Sequence, residues 1–135
     1  MLPALVPIPR PDAAPSLRQR SSVASLAAAG VLNVNQVEAA WDFIRLWREM
    51  AEGRSAYDLL LADEFRPSSE RAVAAKQQLQ QIRGETGGHG FELLIRVTVE
   101  GFSISDLFES RRMRDTHTDM LRVHLTEVST LLNHR

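Results

Sequence analysis

The sequence predicts an all-α fold: a single orthogonal helical domain of five or six helices that ends in a helix-turn-helix-like pair. Three observations predict it. Apolar residues recur at helical spacing in several stretches of the 135 residues. Glycines and small polar residues fall where such stretches begin and end. The β-branched run "IRVTV" is a lone strand candidate, and one strand without a partner cannot form a sheet.

The chain opens with "MLPALVPIPRPDAAP", which carries five prolines. Proline removes a backbone donor and favours extended geometry, so residues 1–20 read as a Pro-rich disordered tail ahead of a helical domain at 21–135. Within the tail, Leu2, Leu5, Val6 and Ile8 could enter a partner's groove. A short helix capped by Ser21 or Ser22 is expected to stop at Gly30. Next comes "VLNVNQVEAAWDFIRLWREMAEG", where Asn35 and Glu38 have capping-box spacing and a helix should span 36–51. Asp42, Arg45, Arg48 and Glu49 share one arc, and apolar residues cover most of the rest. That pattern predicts a largely buried helix at the centre of the fold, with both Trp41 and Trp47 in the core.

"RSAYDLLLADEFRP" has no clear period and reads as a short helix or an ordered loop. In "PSSERAVAAKQQLQQIRG", Ala72, Ala75, Leu79 and Ile82 form a narrow apolar stripe, so a helix should run to just before Gly84. "GETGGHG" then reads as a loop. It lacks the Gly-Lys-Ser/Thr of a phosphate loop, and no strand leads into it. "FELLIRVTVEG" fits a helical face through Phe91, Leu94, Ile95 and Thr98, closed by Gly101.

The closing segment has the outline of a helix-turn-helix, at 103–133. Ser103 and Asp106 resemble a capping box, and Ile104, Leu107 and Phe108 supply an inward face. A turn is expected over 110–114, with Asp115 capping a last helix whose Leu121, Leu125, Val128 and Leu132 form a clean stripe. In a DNA-reading module the second helix enters the major groove. The outward residues of its first turns would be Thr116, Asp119, Met120 and Val123, with Arg111, Arg112 and Arg114 clamping phosphates from the turn and Arg122 on the helix flank. Asp119 opposes that role, and residues 103–135 hold five acidic and five basic side chains.

Formal net charge is −1, so the molecule has no overall basic field. Lys76 is the single lysine among 16 basic residues. The absence of cysteine removes disulfides, thiolate metal sites and cysteine nucleophiles, and it suits a cytoplasmic location. His117 and His124 match no standard zinc spacing, and no serine, histidine and acid arrangement points to nucleophilic catalysis. No metal, cofactor or catalytic residue is expected, and no run is long enough to span a membrane.

The order of segments also resembles a regulatory domain found at the C-terminal end of alphaproteobacterial gene-transfer-agent activators and in small phage regulators. The likeness rests on "SLAAAGVLNVNQVEAAWDFIRLW", "SERAVAAKQQLQQI", "HGFELLIRVTVEGFSISDL" and "THTDMLRVHLTEVSTLLNH", and it covers residues 22–134. The end of that family is similar to the helix-turn-helix of sigma-factor region 4. The resemblance implies a phage- or prophage-type transcriptional regulator that contacts DNA, with RNA polymerase as a second partner. Arg111, Arg112, Arg114, Thr116, His117 and Thr118 would form the DNA-facing group. Arg112 stands where the family commonly has glycine, and Phe108 where it has a small residue. The alternatives are a helical protein-interaction module, acting as adaptor or inhibitor of the transcription machinery without DNA contact, and a small phage packaging or structural component.

Overall fold

The computed structural model describes residues 15–52 and 69–133. The expectations for the proline-rich residues 1–14 and for 53–68 lie outside the described residues. The architecture is all-α: α1 (Pro15–Ala28), α2 (Val34–Ala51), α3 (Glu70–Leu94), a π-helical turn (Ile95–Val99), α4 (Ile104–Leu107) and α5 (Arg111–Asn133). Helix α1 starts at Pro15 rather than at Ser21 or Ser22, because proline is tolerated at a first helical position whose N–H needs no partner. Residues 15–20, expected in the tail, are therefore helical.

Helix α2 begins two residues earlier than expected. Its cap is Asn33, not Asn35: the Asn33 side chain accepts from the Gln36 N–H at 2.8 Å, and the Gln36 Oε1 accepts from the Asn33 N–H at 2.8 Å. Gln36 Nε2 also donates to the Arg122 carbonyl and to Thr126 Oγ1 at 3.1 and 3.2 Å. One glutamine thus starts α2 and ties it to α5, and it is buried where Glu38 is exposed. A neutral amide can be buried once hydrogen-bonded, whereas a carboxylate could not be at this cost. The helix ends at Glu52, which takes the left-handed conformation with φ 53°.

Helix α3 is longer than its sequence suggests. Ser69 caps it, and Ala72, Ala75, Leu79 and Ile82 are buried, as the stripe predicts. It does not stop before Gly84, however. The expected loop shrinks to a bend at Gly87, whose φ of 81° suits a residue without a side chain. Helix resumes immediately and carries the chain into the interior.

The stretch after the bend is the centre of the fold, a role the sequence had assigned to α2. From Gly90 to Phe102 every residue is buried except the half-buried Glu92. Arg96 and Glu100 lie inside it and pair at 2.7 Å, with side chains 4% and 7% exposed. A buried charge needs such a partner. The β-branched residues that looked like a strand are helical but wound wider. Thr98 Oγ1 bonds back to the Leu94 carbonyl at 2.6 Å, and the Glu100 and Phe102 amides reach back to Ile95 and Arg96 carbonyls, both at 2.9 Å. Gly101, with φ 77°, then turns the chain toward α4.

Helices α1 and α2 pack on the π turn, and α2 and α5 pack on α3. Ser22 Oγ donates to the Phe102 carbonyl at 3.2 Å, pinning α1 to the end of the central stretch. Phe43, Trp47 and Phe91 form an aromatic group with centroids 5.6 to 6.2 Å apart, joining α2 to α3 just beyond the bend. The two tryptophans diverge: Trp47 is 5% exposed and Trp41 45%. Trp41→Ala should therefore cost under about 1 kcal/mol and Trp47→Ala about 3–5 kcal/mol, measured by urea unfolding. Equal costs would mean that the aromatic group is not where α2 is anchored.

Candidate functional site at the C-terminal helix pair

The helix pair keeps the expected order but not the expected proportions. Ser103 and Asp106 form a true capping box, with bonds of 3.1 Å in both directions. Ile104 and Leu107 are buried and Phe108 is half-buried, as an inward face requires. Yet α4 is a single turn of four residues. The connection is shorter than 110–114, because Ser110, not Asp115, caps α5: its Oγ accepts from the Met113 N–H at 3.1 Å. Arg111, Arg112 and Arg114 thus occupy the first turn of α5 rather than a loop.

These positions scatter the residues that would have touched DNA. Arg111 is fully outward, its side chain 93% exposed, and lies 4.0 Å from Asp115. Arg112, Thr116 and Arg122 are also exposed, beside the exposed Asp115 and Asp119. Arg114 turns back, and its Nε donates to the Phe108 carbonyl at 2.8 Å, closing the α4–α5 turn. Thr118 donates to the Arg114 carbonyl at 2.8 Å and is half-buried. His117, expected to face outward with them, is only 1% exposed. It sits on the apolar stripe's own side of α5, four residues before Leu121, where a ring of its size can be buried only with its nitrogens satisfied.

Those nitrogens are satisfied. His117 Nδ1 lies 2.8 Å from the Met113 carbonyl, which can only accept, so the proton is on Nδ1 and Nε2 is free to accept. Nε2 of His89 lies 3.0 Å away and supplies that hydrogen. The Phe108 ring stacks on His117 with centroids 3.8 Å apart. His89 comes from just beyond the Gly87 bend, so the pair clamps α5 to α3 across the site. Next to it, Gly90 lies under His124: a Cβ there would come within 2.5 Å of the imidazole. His124 in turn directs Nδ1 to Glu127 at 2.6 Å. No periodic signal marks this partnership, since His89 falls in what reads as a loop. Among the described residues no group of three His, Cys, Asp or Glu side chains could hold a metal ion.

A shallow open groove of about 440 Å³ runs beside the pair, lined by Gln36, Asp119, Arg122, Val123, Thr126 and Glu127. Val123 is exposed at its edge. Among the described residues no helix is long and apolar enough to cross a membrane. No protein-family model, curated protein or solved structure matches the chain.

The histidine clamp makes stability depend on pH. Burial, then the neighbouring His117, pushes the pKa of His89 below its ordinary 6.5, with Glu92 opposing and His124 adding to the depression. A group whose folded pKa is lowered binds fewer protons folded than unfolded between the two values. Stability is therefore full above about pH 6.5 and falls as pH drops from there toward the folded value. Thermal melts from neutral to mildly acidic pH should show this loss, and His89→Gln should flatten it. An unchanged pH profile in His89→Gln would remove the clamp from the account.

Proposed function

We propose that this domain is a non-enzymatic helical protein-interaction module, an adaptor or inhibitor of the transcription machinery that works without gripping DNA. One observation carries the reading: the outward face of the first half of α5 is of mixed charge. Arg111, Arg112 and Arg122 stand among Asp115 and Asp119, while Arg114 is committed to the Phe108 carbonyl. Phosphate contacts provide most of the affinity for DNA, and interleaved carboxylates oppose them. A protein surface with complementary acids and bases meets no such penalty. The groove beside α5, with exposed Val123, supplies an apolar contact next to the charges. The resemblance to phage-type regulators points to RNA polymerase as the partner.

A second reading, a transcriptional regulator that contacts DNA through α5, is favoured by the order of elements. A buried helix, a left-handed Gly101, a capped turn of helix and a tight connection lead to α5, and Arg111 and Arg112 are exposed at its N-terminus. Purified RNA polymerase and a pool of genomic DNA fragments, each tested at low and moderate salt, separate the two readings. The first expects capture by polymerase, reduced about tenfold or more in Val123→Asp and Arg122→Glu, and no retention of DNA. Retention of DNA with a steep salt dependence that Arg111→Ala and Arg112→Ala relax would favour the second. If neither partner is captured, the transcription reading fails.

A further inference from the structure

The outer face of α2 carries a second pattern, separate from the α5 groove and independent of the function proposed above. Val34, Glu38, Trp41, Arg45, Arg48 and Glu52 are all exposed. Their spacing is four, three, four, three and four, the seam of a helix that packs lengthwise on another helix. They lie opposite Ala40, Phe43 and Trp47, which face the core. Trp41 stands in the middle of this polar stripe, 45% exposed. Leaving a large indole half in water forgoes burial that an interface would recover, and tryptophan is enriched where interfaces concentrate their energy. The charges are also ordered, with acidic Glu38 on the N-terminal side of Trp41 and basic Arg45 and Arg48 on the C-terminal side.

We propose that this stripe binds a second copy of the chain, as an antiparallel pair of α2 helices about a two-fold axis. An isologous contact requires that if one residue meets another, the reverse also holds. With the axis level with Phe43, Trp41 of each copy meets Arg45 of the other, and Glu38 meets Arg48. The pair thus makes two cation–π contacts and two ion pairs. Arg45 already lies 3.8 Å from Asp42 and 3.5 Å from Glu49 on its own helix. Both are surface pairs of little strength, and they leave 53% of the Arg45 side chain accessible to a partner. A parallel arrangement would instead stack Arg48 on Arg48 and Glu38 on Glu38, which selects the antiparallel one.

The test is the oligomeric state of the full chain across a concentration series, by light scattering or sedimentation. Wild type should shift from monomer to dimer as concentration rises. Glu38→Arg and Arg48→Glu should each weaken self-association about tenfold or more, because each makes the contact like-charged in both copies. Trp41→Ala should do the same. Mixing Glu38→Arg with Arg48→Glu should restore a dimer, one copy of each, since every contact is then complementary. Circular dichroism confirms that each variant keeps its helices, and the mixture distinguishes lost pairing from lost folding. A wild type that stays monomeric at every concentration overturns the proposal. So do single variants that still dimerise, or a mixture that stays monomeric.

Discussion

The structure depends on burying a stretch of chain on every side. From Gly90 to Phe102 the backbone and side chains leave solvent together, apart from half-buried Glu92. A helix satisfies its own peptide groups, so it is the one element that can cross an interior without borrowing partners. The π turn keeps that satisfaction where β-branched side chains crowd one another, because Thr98 and the Glu100 and Phe102 amides take up the shifted carbonyls. The same stretch carries the Arg96–Glu100 pair inward. Breaking one half of such a pair leaves an uncompensated buried charge, so the two must be kept or lost together.

Placement of the other helices follows from that stretch. Helix α3 can enter the interior only if it changes direction, which it does at Gly87. The bend brings His89 and Gly90 under α5, where His117 and His124 settle against them. This fixes which way α5 faces. His117 is drawn inside with the stripe of Leu121, Leu125 and Val128, and the outward face keeps both signs of charge. The single-turn α4 has the same origin, since Phe108 leaves the helix with a φ of −134° and its ring stacks on His117. The single-turn α4 and the mixed charge on the outward face of α5 are thus consequences of packing.

Much of this was legible in the residues. Periodicity located α2, α3 and α5, and Ser103 with Asp106 marked the start of α4 correctly. Where the structure departs from the local pattern, contacts distant in sequence decide. Asn33 and Asn35 both look like caps, and only the buried contact between Gln36 and α5, distant in sequence, decides between them. Glycine density in "GETGGHG" reads as a loop, but the tertiary contacts of the helix on both sides confine the break to one residue. Trp41 and Trp47 are six residues apart, so they cannot share a face, although an apolar helix that is uniformly buried would hide that difference. In the candidate site, Arg111, Arg112, Thr116 and Arg122 are exposed on α5, whereas His117 is buried. A polar residue in register with an apolar stripe is ambiguous until its partner, here His89, is known.

Native-state hydrogen exchange reads out where the core of this domain lies. If the Gly90–Phe102 stretch is the core, amides from Leu93 to Val99 should exchange only through global unfolding, with protection equal to the full stability of the domain. Helix α2 should then be no slower, and the outer turns of α5 faster. Should the 93–99 amides exchange well before those of α2, the π turn would be a locally opening segment. The centre of the fold would then lie elsewhere.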